Sequence, residues 1–199
     1  MPVYSHFFME NNMYELETER LFIRPFKASD VVFLNFLHSD LNVMRYTHGR
    51  TRSYNENVEY IKTMQDLHEQ NIGHLVVVRK EDMMPIGRCG YSYFYGVHVG
   101  GVDHFYWGSP EKVTREGDIF KLLELGYTYA KSSWGKGYAT EAALAFRDFG
   151  FNTLGYNKLS SLVIKENIAS VAVAKKMGAK KIIECMVHDT PSFNLINKK

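Results

Sequence analysis

The run Trp134-Gly135-Lys136-Gly137 is where residue types and spacing first suggest chemistry. A strand-like segment, Phe120 to Lys131, leads into it, and Ala139, Ala142, Ala143, Phe146 and Phe149 after it fall on one helical face. A strand that feeds glycines into a helix start leaves backbone N–H groups unpaired at the positive end of the dipole, a seat for a phosphate or diphosphate. Two nucleotide motifs fail to match. A Walker A loop needs glycine at 130 and Ser or Thr after Lys136, where Ala130 and Gly137 stand. A dinucleotide fingerprint beginning at Gly135 needs Gly or Ala where Thr140 stands. Taken alone, the glycine pattern serves equally as a tight turn with no ligand. Three other groups could carry chemistry. Glu124 is a lone carboxylate in the preceding strand, Asn167 stands before an apolar helical run that it can cap, and His104, Tyr106 and Trp107 could line a pocket, although packing is favoured. Cys89 beside Arg88 reads as an inert core thiol.

The elements that must hold these residues follow from periodicity. Residues 1 to 15 show no sustained period and form an arm whose order depends on what it packs against; residues 16 to 199 form one domain. Leu21 and Ile23 alternate with polar and aromatic neighbours in a strand that Pro25 ends. Ser29 or Asp30 can cap a helix reaching about Ser39, and Val58, Ile61, Met64 and Leu67 mark a second helix. His74 to Arg79 and Ile86 to Phe94 read as antiparallel strands, and Tyr95 to Asp118 as a long linker. After the glycine turn and its helix come a strand from Leu159 to Ile164, a short helix from Ala169 to Met177 and a last strand from Lys181 to Val187.

Composition excludes several classes. The 199 residues amount to about one domain at roughly 150 each, with 45% hydrophobic and 23% charged residues, so a disordered or fibrous chain is excluded. The 24 Lys and Arg against 22 Asp and Glu leave a net charge of +2, too balanced for a nucleic-acid footprint. No run approaches the roughly 20 apolar residues that span a bilayer, and nothing reads as a signal peptide. Cys89 and Cys185 lack metal-ligand spacing, which points to a reduced, cytoplasmic chain without a metal.

Four segments taken in order resemble the GCN5-related N-acetyltransferases, and most closely their ribosomal-protein N-terminal branch. They are Thr18 to Arg24, Glu124-Leu125-Gly126-Tyr127, Trp134 to Ala142, and the spacing of Asn167, Ser170 and Gly178; together they span about Glu17 to Ala179. The resemblance implies a single-domain α/β fold whose mixed, mostly antiparallel central sheet is flanked by helices and split at an acetyl-CoA site. It implies acetyl transfer to a primary amine by direct attack in a ternary complex. The acceptor would be a protein N-terminus or a small-molecule amine, and a homodimer is left open. Carried onto this chain, cofactor contacts fall on Tyr127, Tyr129, Trp134, Gly135, Gly137, Ala139, Thr140 and Asn167. The catalytic set is Glu124 as base, the Tyr129 backbone N–H on the thioester carbonyl and Ser170 near the departing thiolate. Two departures bear on function. Trp134 stands where the family usually has Arg or Gln, which removes a side-chain hydrogen bond, and Ala174 stands where many members carry an acidic tyrosine. The missing tyrosine leaves a non-catalytic acyl-CoA sensor as the alternative reading.

Overall fold

The computed structural model describes residues 6–10, 13–47 and 49–199, with side chains from Tyr14 onward. Its strands are β1 (His6–Glu10), β2 (Met13–Glu17), β3 (Leu21–Arg24), β4 (Gly73–Arg79), β5 (Met84–Val99), β6 (Val102–Trp107), β7 (Ile119–Tyr129), β8 (Lys158–Ile164), β9 (Lys181–Val187) and β10 (Thr190–Lys198). The helices are α1 (Val31–Ser39), α2 (Leu41–Met44), α3 (Tyr54–His68), α4 (Tyr138–Asn152) and α5 (Ile168–Lys176). All pairings in the one mixed sheet are antiparallel except β6 with β9 and β7 with β8.

The apolar pattern of β4 explains the layering. Leu75 and Val77 belong to a core shared with α4 and α5, while Val76 and Val78 belong to a second core with α1 and α3. A strand buried on both faces reads as a continuous apolar run, as His74 to Arg79 does. Helix α3 is set by Ser53, whose hydroxyl accepts from the Glu56 N–H at 3.3 Å while Glu56 returns the bond to the Ser53 N–H at 2.8 Å. Asp30 does not cap α1. Its carboxylate instead pairs with Arg24 at 2.7 Å and accepts from the Lys27 N–H at 2.7 Å, which closes the turn before the helix.

Three expectations change. The segment from Tyr95 is no linker, because β5 runs to Val99 and turns through Gly100 and Gly101, at φ 60° and 83°, into β6. Those glycines are a hairpin turn rather than a flexible stretch, and only residues 108–118, with a short 3-10 helix at Pro110–Lys112, lie outside the strands. His104 and Tyr106 are accordingly packed, at 8% and 4% exposure, whereas Trp107 is exposed. Second, the strand at Lys181–Val187 is not the last, since β10 follows and lies between β8 and β9. Its sequence, with Pro191, Asn194 and Asn197, lacks a strand signature, and burial between two partners overrides propensity there. Third, the boundary at residue 15 falls inside β2, and Tyr14 is fully buried against Phe149 with ring centroids 4.5 Å apart. Residues 1–5, 11 and 12 of the arm lie outside the described residues.

At one end the sheet closes on itself. β5 pairs with β7, β7 with β8, β8 with β10, β10 with β9, β9 with β6, and β6 again with β5. Phe94, Phe105, Leu122, Leu162, Cys185 and Val187 fill this short barrel. β10 is the only bridge between β8 and β9 in that circuit. Truncation after Asp189 is therefore expected to abolish the cooperative thermal transition and the near-UV circular dichroism of the full chain. Retention of a sharp transition would show that the barrel does not need β10.

Candidate functional site

The glycine turn has the conformation that a phosphate seat requires. Gly135 and Gly137 take φ of 74° and 84°, values that favour glycine, and Gly137 is the residue before the first turn of α4. The first intrahelical bond of α4 runs from the Glu141 N–H to the Gly137 carbonyl at 3.0 Å. The N–H groups of Tyr138, Ala139 and Thr140 are thus left without an intrahelical acceptor, beside a loop whose residues 134–137 are exposed. The Trp134 indole N–H donates to the Tyr129 carbonyl at 2.8 Å, so its single donor is committed within the protein.

Sequence reasoning missed how this turn is held. Arg20, in the turn between β2 and β3, donates from its backbone N–H to Glu141 Oε1 at 2.9 Å and from Nε to Glu141 Oε2 at 2.7 Å. Its Nη1 reaches the Lys136 carbonyl at 3.1 Å, and its guanidinium lies 4.7 Å from the Tyr138 ring centroid. Thr18 adds a 2.6 Å bond to Glu141 Oε1. Burial raises the Glu141 pKa, but the Thr18 and Arg20 bonds outweigh it and leave the carboxyl below its usual value.

β7 and β8 meet at a single parallel bridge, Glu124 with Ser160, and part beyond it. The Ala130 N–H bonds to the Ile86 carbonyl of β5 at 2.9 Å. By strand alternation Leu125, Tyr127 and Tyr129 therefore turn their backbone groups away from β5 and toward the gap. A regular parallel ladder would next join the Leu162 N–H to the Leu125 carbonyl. Here the Ser161 hydroxyl takes that carbonyl at 3.2 Å, and the Leu162 N–H faces the Glu124 carboxylate.

Glu124 projects onto the α1–α3 face, opposite Ser92 in register. Its carboxylate folds over Gly126, with Oε2 only 2.8 Å from where a Cβ would stand, so any side chain there would displace it. Protein encloses this half-buried group closely enough that loss of solvation lifts its pKa to about 8. The nearby Arg88 charge and the Leu162 N–H pull the other way and are overcome.

On the far side of the gap, Asn167 caps α5 by accepting from the Ser170 N–H at 3.2 Å. The Tyr127 hydroxyl donates to the Ser170 carbonyl at 3.0 Å. Ala174 is fully buried in the α4–α5 core, on the side of α5 turned to the sheet. The structure thus brings Glu124, Tyr127 and Tyr129 to one side of the gap, Asn167 and Ser170 to the other, and Trp134 to Thr140 to its end. Arg20, Glu141, Ser161 and Gly126 complete this arrangement; Gly126 alone carried a local signal, sitting two residues after Glu124. Among the described residues, no group of three or more His, Cys, Asp or Glu is arranged to hold a metal, and no helix is long and apolar enough to cross a membrane.

Comparison with known proteins gives a consistent result. Residues 20–180 match the model of the acetyltransferase (GNAT) domain. The uncharacterized protein YkkB of Bacillus subtilis is 28% identical over 167 residues, covering 82% of this chain and 84% of that protein. The solved acetyltransferase of Agrobacterium tumefaciens superposes with a TM-score of 0.69 at 22% identity, covering 98% of this chain and 97% of that one. The ribosomal-protein-S5-alanine acetyltransferase of Vibrio fischeri gives a TM-score of 0.64 at 17% identity, with 92% and 96% covered. At these identities the two structures speak for the fold alone, so the ribosomal-protein branch is not singled out.

The Glu124 pKa has a consequence for stability. Its folded value, about 8, exceeds the ordinary 4.5, so the native state holds a proton that the unfolded chain releases between those values. The stabilisation is complete below about pH 4.5 and is lost as pH rises to about 8. The melting temperature of Glu124→Gln should gain on that of the wild type across this window and then run parallel to it. A difference that does not vary with pH would mean that the carboxyl titrates normally.

Proposed function

The chain belongs to the acetyltransferase (GNAT) domain family, and from that premise we propose that it transfers an acetyl group from acetyl-CoA to a primary amine. The observation that carries this reading is the Glu124 carboxylate, folded over Gly126 where β7 and β8 part and raised in pKa to about 8. The cofactor's diphosphate takes the amides from Gly135 to Thr140, and its pantetheine arm pairs with the open edge at Tyr127 and Tyr129. Asn167 and Trp134 flank that path. The Tyr129 N–H then faces the thioester carbonyl and stabilises the oxyanion that forms there.

The acceptor approaches from the α1–α3 side. A lysine-type amine with a pKa of about 10.4 is almost wholly protonated at neutral pH and cannot attack. Glu124 in its ionised form removes that proton, directly or through a water. The free amine attacks the carbonyl carbon, the tetrahedral intermediate collapses, and the C–S bond breaks to leave an amide and the CoA thiolate. Ser170 or water returns a proton to sulfur, an undemanding step because a thiolate is only a moderate base. Attack is direct, in a ternary complex without an acyl-enzyme, as the family resemblance implies; the Ser92 hydroxyl that meets His74 Nε2 at 3.3 Å is buried in the sheet. A protein N-terminus, as in the ribosomal-protein branch, and a small-molecule amine both meet these demands; an amine panel with mass detection of the acetylated product separates them.

A second reading, an acyl-CoA sensor without turnover, draws on Ala174. That position is a buried alanine and α5 contains no tyrosine to offer the thiolate. Release of free thiol from acetyl-CoA in the presence of amines distinguishes the two readings.

Two outcomes are expected. Acetyl-CoA should raise the melting temperature where ATP at equal concentration does not, since only a ligand of the native state adds stability, and Gly137→Val should abolish the shift. Equal shifts would sink the CoA assignment. For catalysis, kcat/KM should rise with pH through about 8 as Glu124 ionises. Glu124→Gln should bind acetyl-CoA normally, turn over about 10² to 10⁴ times more slowly and lose that inflection. A variant of unchanged rate would remove Glu124 from the reaction.

A further inference from the structure

Glu141 is badly placed for a protein that seats a diphosphate. It lies in the first turn of α4, directly after the free amides of Tyr138, Ala139 and Thr140, and its carboxyl is kept ionised by its hydrogen bonds. A carboxylate favours a helix N-terminus in the absence of ligand, but beside a bound diphosphate it repels. The donors that offset it come from the turn between β2 and β3, about 120 residues away in the chain. Oε1 accepts from the Thr18 hydroxyl at 2.6 Å and the Arg20 N–H at 2.9 Å, and Oε2 from Arg20 Nε at 2.7 Å, with Nη2 at 2.6 Å. The Glu141 side chain is 12% exposed while that of Arg20 is 45% exposed. The pair therefore shows solvent its positive member.

Arg20 also touches the loop itself. Nη1 holds the Lys136 carbonyl at 3.1 Å, Nη2 stands 3.3 Å from the point where a Gly137 Cβ would be, and the guanidinium stacks on Tyr138. A carbonyl turned inward onto Arg20 leaves the neighbouring amides free to face outward. Lysine has the charge but not the fork that reaches a carboxylate and a carbonyl at once.

We propose that Arg20 is a positioning residue of the cofactor seat, which covers the Glu141 carboxylate and pins the Lys136 carbonyl so that the loop amides meet a diphosphate unopposed. The inference rests on the acetyl-CoA reading and deepens it, because it ties discrimination for a diphosphate-bearing donor to the turn between β2 and β3. Arg20 acts through Glu141 and the loop, so its loss should be felt by the nucleotide part of the donor and not by the reacting thioester.

The test compares acetyl-CoA with S-acetylpantetheine, which carries the same thioester without the diphosphate. Arg20→Gln should raise KM for acetyl-CoA about tenfold or more, the scale of a lost charge-assisted bond, with kcat changed less than threefold. Its kcat/KM with S-acetylpantetheine should match the wild type. Arg20→Gln/Glu141→Gln should recover most of the acetyl-CoA affinity, since no uncovered charge remains, and Arg20→Lys should recover part. Equal losses with both donors, or none with either, would overturn the proposal. Melting of each variant without ligand, and the shift that acetyl-CoA adds, read the same effect independently of turnover. If the wild type shifts with acetyl-CoA but transfers from neither donor, acetyl transfer fails while the variant shifts still decide Arg20. A shift undiminished in Arg20→Gln would overturn its role in that case too.

Discussion

Two side-chain hydrogen bonds replace one backbone bond where β7 leaves β8, and the candidate site is organised around that substitution. Strands that part would ordinarily strand polar groups in the protein interior, at roughly 1–3 kcal/mol for each buried group left unmade. The Ser161 hydroxyl takes the Leu125 carbonyl, and the Leu162 N–H turns to Glu124. The gap is thereby a stable feature of the sheet, not a frayed edge. The barrel end, filled by Phe94, Phe105, Leu122 and Leu162, anchors both strands so that they diverge from a fixed point. What stays open is the edge at Tyr127 and the Tyr129 N–H, a template for an extended ligand, while the Tyr129 carbonyl is taken by the Trp134 indole.

The same geometry sets two carboxylates on opposite courses. Glu124 gives up water for one backbone N–H and a more distant guanidinium, and its pKa climbs to about 8. Glu141 meets Thr18 and Arg20 at hydrogen-bond distance and stays below its usual value. Desolvation dominates where partners are few, and charge-assisted hydrogen bonds dominate where they are many. One carboxyl can therefore exchange a proton near neutral pH, whereas the other serves only as a charge and a tether.

Helix α5 shows how a departure from a family pattern can be accommodated. With Ala174 packed into the core, the side of the gap formed by α5 is met by Tyr127 from β7, whose hydroxyl reaches the Ser170 carbonyl. The phenol is thus committed to a backbone acceptor, and burial raises its pKa. Under the proposed reaction, proton return to sulfur falls to the Ser170 hydroxyl or to solvent.

Several features were legible because their causes lie within a few residues. The glycine turn before α4, the spacing that builds α3, the Asn167 cap and the strand carrying Glu124 all depend on neighbours one to four positions away, as does the mixed α/β character of the chain. The hairpin at Gly100–Gly101 was local too, but its glycines read as looseness because nothing nearby marks them as a turn with paired flanks. Other features had no local cause to read. β10 is a strand because β8 and β9 enclose it, and Tyr14 is core because Phe149 lies against it. Arg20 meets Glu141 across the fold, Ser161 meets Leu125, and the acidity of Glu124 follows from its enclosure. By itself the sequence determined which segments could fold and which groups could react; only the tertiary structure decided which groups meet and how much water they keep, because both depend on strand register and burial between segments far apart in the chain.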